Sequence, residues 1–166
     1  MKNDQVDDHR ILALTVASQR MGYVVLEGSN FLVEWGCQDL RHLSHQKQLE
    51  KACKTMAWYL PDLIVLEDVQ MAGCRKGAAS RRLVTDIRKE AVRRRIGITF
   101  VSRLEVRRHF ADQGGANKDL VARIVCNHLP ELIRLLPEPR RTWQPEQHCM
   151  PVFEAASMAI VCRQKA

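Results

Sequence analysis

Two carboxylates and a crowd of guanidinium groups are the residues of this sequence best suited to chemistry. Glu67 closes the apolar run Leu63-Ile-Val-Leu66, and Glu154 stands at the start of the last apolar segment, directly after Phe153. Carboxylates that converge at strand ends are a common way for hydrolases to hold Mg²⁺. The ion takes hard oxygen ligands in octahedral geometry, and two such ions stabilise the attacking and leaving oxygens together. Both glutamates also have plainer roles: a strand-end glutamate is commonly just solvated, and one near a helix N-terminus interacts favourably with the helix dipole. The basic residues are concentrated. Between Arg75 and Arg108 there are ten arginines and two lysines against Asp86, Glu90 and Glu105, a local charge of +9 in a chain whose net charge is +7. The remainder is therefore slightly acidic. One basic region on such a body is the footprint of a polyanion, and arginine suits bidentate phosphate contact. The alternative is a helix face kept soluble by charge.

These groups belong to a chain of 166 residues, 46% apolar and 27% charged, which are the proportions of a folded domain and not of a disordered or collagenous segment. One domain over 1–166 is expected, with residues 1–9 frayed because Asp4 to Asp8 is acidic and without periodicity. No apolar run approaches the ~20 residues a membrane span needs, and no charged-then-apolar leader opens the chain, so a cytoplasmic protein is expected. The six cysteines lack CxxC spacing and read as reduced thiols, with Cys126 and Cys162 buried in helices. Gly28, Gly77, Gly97, Gly114 and Gly115 show no phosphate-cradle spacing, which argues against a nucleotide-triphosphate site.

Three strand-length runs come first: Ile11 to Val16, Gly22 to Glu27, and Phe31 to Trp35 after the turn residues Gly28-Ser-Asn30. Tight connections make them an antiparallel meander. An amphipathic helix is expected from His42 to Leu60, with Leu49, Cys53, Met56, Ala57 and Leu60 inward, stopped by Pro61. Leu63 to Leu66 lacks alternation and reads as a central strand covered on both faces. Ser80 is the expected cap of a helix through Arg95, with Leu83, Val84, Ile87, Ala91 and Val92 inward and Arg81, Arg88 and Arg95 recurring every seven residues. Ile98 to Val101 is a fifth strand. A short helix from Ser102 to Phe110, a Gly-Gly loop, a helix from Lys118 to His128, a proline-containing loop (Pro137 to Pro151, holding Arg140, Arg141, Trp143 and Glu146) and a helix from Phe153 to Cys162 complete the chain. Trp35 and Trp58 are expected in the core, whereas Trp143 suits either packing or base stacking.

Order and spacing together resemble the RuvC-type Holliday junction resolvases of the RNase H-like nuclease superfamily. Ile11-Leu-Ala-Leu-Thr-Val-Ala-Ser-Gln-Arg-Met-Gly-Tyr23 looks like their first strand and turn. Ile64-Val-Leu-Glu-Asp-Val-Gln-Met-Ala72 resembles the segment with the second acidic ligand, and Phe153-Glu-Ala-Ala-Ser-Met-Ala-Ile-Val161 the terminal helix with the last two. Lys118 falls where the family keeps a lysine near the scissile phosphate, and Arg107 where it keeps another basic residue. The resemblance implies an α/β RNase H-like fold, a five-stranded mixed sheet with three antiparallel strands and then parallel ones, flanked by helices. It also implies Mg²⁺ (or Mn²⁺) held at Glu67 and Glu154, catalysis by these with Lys118, branched DNA as partner and a homodimer.

Two positions depart from that pattern. Thr15 stands where the family's first strand carries an aspartate, and Ser157 where the terminal helix carries its second acid. Two carboxylates leave about two charges of a Mg²⁺ pair uncompensated, and a neutral hydroxyl is a poor bridging ligand, so the metal should be held weakly if at all. Asp68 points to the opposite strand face from Glu67 and should not compensate; Asp7 and Asp8 precede the strand. The expectation is a RuvC-like protein that binds branched or bent duplex DNA through Arg81, Arg88, Arg95, Arg107 and Lys118, with lost or weakened two-metal hydrolysis. The alternatives are an active Mg²⁺-dependent, structure-specific endonuclease and, from another class, a protein-interaction scaffold.

Overall fold

The computed structural model describes residues 9–71, 74–136, 138, 143 and 149–165. The expected frayed start, with Asp7 and Asp8, lies outside the described residues apart from His9, as do Arg140, Arg141 and Glu146 of the proline-containing loop. Five strands form one sheet: β1 (Ile11–Val16), β2 (Arg20–Glu27), β3 (Phe31–Asp39), β4 (Leu63–Glu67) and β5 (Gly97–Val101), in the spatial order β3-β2-β1-β4-β5. β1 pairs antiparallel with β2, and β2 antiparallel with β3; β1 with β4 and β4 with β5 are parallel. The mixed sheet expected from the sequence is therefore present. β3 runs four residues past Trp35 because the β2–β3 ladder continues to Arg20 against Asp39.

Helices α1 (His45–Tyr59) and α2 (Ala78–Arg93) are the crossovers into β4 and β5. They pack on one face of the sheet, where Leu12, Leu14, Ile64 and Leu66 meet Ala52, Met56, Leu83 and Ile87. The other face takes α3 (Arg103–Ala111), α4 (Lys118–His128) and α5 (Met150–Lys165), with a 3₁₀ turn at Pro130–Leu135 that the periodicity did not announce. There Ile11, Ala13 and Val65 meet Phe110, Val125, Phe153 and Ala156. Alternation sends odd-numbered residues of β1 and β4 toward α5 and even-numbered ones toward α1 and α2, which explains why both strands are apolar on both faces apart from Thr15 and Glu67 near their ends.

Several expected boundaries move. α1 starts at His45, three residues later than expected, with Ser44 capping it by accepting from the Lys47 N–H at 3.3 Å, and His42 adopts a positive φ of 61° in the preceding turn. α1 buries Ala52, Thr55 and Met56, whereas Ala57, Trp58 and Leu60 face outward, Trp58 with 80% exposure. The expected core role of Trp58 is thus corrected. The buried stripe is set by the register of α1 on the sheet, and the last turn overhangs it. Trp35 is half-buried against the α5-side core, and Trp143 is exposed. Gly77, not Ser80, is the N-cap of α2, and the helix ends at Arg93 with Arg95 at φ 58° beyond it. Arg95 therefore does not continue the Arg81–Arg88 row, and Val92 is exposed. α5 begins at Met150 because a proline is tolerated in a first turn, where its missing N–H has no helical partner to lose. Cys126 and Cys162 are buried, and all six cysteines are thiols outside any disulfide. Burial pushes the Cys37, Cys53, Cys126 and Cys162 thiols up, away from the reactive thiolate.

Candidate functional site

The C-terminal ends of β1, β4 and β5 open into a cavity of about 770 Å³. Thr15 and Glu67 reach it from the strands, and Glu154 and Ser157 from α5. Arg103 and Arg107 lie on α3, Lys118 on α4, and Arg75 and Lys76 on the connection from β4 to α2. Strand alternation places Thr15 and Glu67 on the same face. The parallel register pairs Ala13 with Val65 and Leu14 with Leu66, so the next step brings Thr15 beside Glu67.

α5 is delivered to this pole by a close approach. Gly22 pairs with Thr15 across β1 and β2, and Pro151 lies directly on it. A Cβ at position 22 would stand 2.6 Å from the Pro151 Cβ and closer still to its carbonyl group. Glycine is needed there for space. From Met150 to Cys162 every residue is buried except Glu154, which is the point where an otherwise apolar helix meets the cavity. Ser157, 3% exposed, donates its hydroxyl proton to the Glu154 carbonyl at 2.7 Å.

The cations have their own positioning devices. Ser102 and Glu105 form a reciprocal capping box at the start of α3, which sets the direction in which Arg103 and Arg107 project. The Lys165 side chain and the Ser102 backbone N–H, in that order, hold the Glu105 carboxyl below the ordinary carboxylate range. Gly114, at φ 87°, turns the chain between α3 and α4, and Gly115 packs where a Cβ would stand 2.7 Å from that of Phe110. α4 then starts at Lys118, with the Asn117 side chain accepting from the Leu120 N–H at 2.9 Å.

Each glutamate has a lysine. Lys76 Nζ lies 3.0 Å from Glu67 Oε2, with both side chains 16% exposed, and it also donates to the Val16 carbonyl at the end of β1. Lys118 Nζ lies 2.6 Å from Glu154 Oε1. Asp68 turns away, as expected: it does not line the cavity, and its carboxylate accepts from the Gln70 N–H at 3.1 Å. Thr15, 1% exposed, is a neutral hydroxyl. A divalent cation here would meet the Glu67 and Glu154 carboxylates, both already in ion pairs, two hydroxyls, and Asp119 on the α4 side of the cavity, which does not cluster with the two glutamates into a metal-binding group. Among the described residues there is no group of three or more His, Cys, Asp and Glu side chains able to hold a metal ion. This donor set does not suit a Mg²⁺ pair.

The structure thus brings together Glu67, Glu154, Thr15, Ser157, Lys118 and Arg107. It does not bring Arg81, Arg88 or Arg95 to the cavity. The Arg81 guanidinium donates to the Lys76 and Cys74 carbonyls, bracing the β4–α2 connection; Arg88 lies along the exposed side of α2, and Arg95 beyond its end. Three lining cations, Arg75, Lys76 and Arg103, were only members of the basic run in the sequence. One available signal was that a βα connection begins where its strand ends, so the segment after Glu67 must cross the same pole.

No family model matches the chain, and no curated protein does. Solved structures do. A Thermus thermophilus RuvC in complex with a Holliday junction substrate aligns with a TM-score of 0.65 at 12% identity, covering 92% of this chain and 91% of that one. The yeast mitochondrial Holliday junction resolvase aligns at 0.59 with 8% identity over 98% and 82%. A Fowlpox virus resolvase with junction DNA aligns at 0.56 with 8% identity over 91% and 96%. The likeness is one of fold, and the chain has the RNase H-like fold of the RuvC-like resolvases.

Proposed function

We propose that this chain, folded as a single domain, binds branched or bent duplex DNA at the pole where Arg103, Arg107 and Lys118 surround the strand ends, and that its two-metal phosphodiester hydrolysis is lost or weakened. The observation that carries the reading is the cavity itself. Five cations (Arg75, Lys76, Arg103, Arg107 and Lys118) line it together with the two glutamates, each glutamate sits in a lysine ion pair, and hydroxyls stand at Thr15 and Ser157. A surplus of cations at a concave pole attracts and orients a phosphate backbone. Two of the similar folds are solved with junction DNA, which supports a branched duplex as the ligand. A symmetric junction also suits a homodimer. Arg81 and Arg88 extend the positive field along α2, outside the cavity. No helix among the described residues is long and apolar enough to cross a membrane, and the protein is read as cytoplasmic.

The chain's residues perform binding in this reading. Arg103 and Arg107 grip phosphate oxygens bidentately, and Lys118 supplies a point charge beside Glu154. The test measures affinity for a labelled four-way junction, a linear duplex and a single strand, followed by cleavage in Mg²⁺ or Mn²⁺. Tight junction binding without cleavage is the expected result. Junction cleavage abolished by Glu67→Gln would establish the second reading, an active endonuclease, which the sharing of one cavity by Glu67, Glu154 and Lys118 favours.

A further inference from the structure

The β4–α2 connection carries a device that the fold does not require. Lys76 folds back across the end of the sheet and spends two of its three N–H donors inside the protein, on Glu67 of β4 and on the Val16 carbonyl of β1. We propose that the Lys76 ammonium is the resident cation of this site, replacing a divalent metal, and that the cavity takes a DNA backbone phosphate without any metal ion. The second half rests on the DNA-binding reading above.

Charge and geometry carry the inference together. With Thr15 and Ser157 neutral, Glu67 and Glu154 are the anions where the strand ends and α5 meet, and Lys76 and Lys118 cancel them one to one. A divalent ion at Glu67 would have to displace an ammonium anchored at two points, or stand beside it as a like charge in a site little exposed to solvent. The rest of the lining is in surplus, with Arg75, Arg103 and Arg107 against Asp119. The N-terminus of α2 adds to it. Its N-cap is Gly77, with no side chain to accept from the first-turn N–H groups, and both Gly77 and Ser80 line the cavity. Backbone N–H groups at a helix N-terminus beside an ammonium and arginines form an anion site that needs no metal. Among the described residues, the third Lys76 donor takes no further protein partner and can meet a phosphate oxygen.

The experiment has one arm without DNA and one with it. In the first, Mn²⁺ is titrated into the full chain and followed by its paramagnetic resonance signal. The wild-type protein is expected to leave Mn²⁺ free up to about 1 mM. Thr15→Asp combined with Lys76→Ala, which swaps the ammonium for a third carboxylate, is expected to bind it at least about tenfold more tightly. Stoichiometric Mn²⁺ binding by the wild type, lost in Glu67→Gln, would overturn the resident-cation half. In the second arm, junction affinity is measured at fixed ionic strength with chelator or with Mg²⁺, and the two are expected to agree within about twofold. Lys76→Met is expected to reduce the salt slope of binding by about one, and Lys76→Arg to retain it. Loss of binding in chelator overturns the metal-free phosphate site while leaving the DNA reading intact. A protein that binds no junction under either condition refutes the DNA reading and the phosphate half with it, and the Mn²⁺ arm still decides the role of Lys76.

Discussion

Replacing Gly22 by alanine tests how the site is assembled. The added Cβ would lie 2.6 Å from the Pro151 Cβ and nearer still to the Pro151 carbonyl group. Carbon atoms rest at about 3.5–4.0 Å, so the first turn of α5 must retreat by about 1 Å. Neither side can yield by a rotamer change, since position 22 sits mid-ladder opposite Thr15 and the obstacle is a proline ring with its backbone. Overpacking of this kind costs about 3 kcal/mol, from which roughly 0.5–1 kcal/mol is recovered because alanine loses less backbone entropy than glycine. A net loss of about 2 kcal/mol, with a urea slope of about 2 kcal/mol per M, lowers the unfolding midpoint by about 1 M. Function should fall as well. Glu154 lies three residues beyond Pro151 on the same helix, and a displacement of about 1 Å is enough to disturb a hydrogen-bonded ion pair with Lys118. The assay is urea unfolding followed by far-UV circular dichroism, paired with junction binding at fixed salt. A midpoint within about 0.2 M of wild type would show that the close contact does not hold α5 in place.

Other expectations follow from the same geometry. Junction affinity should fall steeply with salt, with log K against log salt near −4 to −5 for ~5 phosphate contacts; a flat response would point to an acidic protein or no polyanion at all. Thr15→Asp alone should destabilise the fold by about 3 kcal/mol, because it buries a second carboxylate at a position that is 1% exposed, beside Glu67, which Lys76 already neutralises; unchanged thermal stability would mean that Lys76 serves both carboxylates. Ser102→Ala should cost about 1 kcal/mol and weaken DNA binding through the aim of Arg103 and Arg107, read by urea unfolding and junction titration. The His45 side chain, bonded at 2.6 Å, holds the Asp86 carboxyl below its ordinary value. A carboxyl with a depressed folded-state pKa contributes stability that is complete above its ordinary value and is lost as the pH falls through the depressed one. Asp86→Asn should therefore flatten the thermal midpoint against pH below about 4.

Much of the scaffold was legible along the chain because its signals are local. Period-two and uninterrupted apolar runs reflect strand geometry, and spacings of three and four reflect the helix, whatever the rest of the chain does. Leu63 to Leu66 shows this: a four-residue run apolar at every position, too short for a helix and bounded by Pro61 and Glu67, reads as a strand covered on both faces, which puts Glu67 at the pole of the sheet. Boundaries were less secure where two local rules competed. Ser80 has the chemistry of a cap, but the helix starts at Ala78 with Gly77 as its cap, and Pro151, which looks like a loop residue, sits in the first turn of α5.

The sequence by itself determined the order of elements, the meander followed by crossovers, the last helix with one glutamate near its start, and the neutral residues at 15 and 157. Only the tertiary structure decided which cations count. Twelve basic residues between Arg75 and Arg108 are indistinguishable by composition. Folding turns Arg88 and Arg95 away from the cavity, ties Arg81 to its rim from outside, and sets Lys76 3.0 Å from Glu67. The reason is that backbone patterns are written in neighbouring residues, whereas the partner of a charge depends on distance in space. That distance is set by how the β4–α2 connection and α5 close over the end of the sheet.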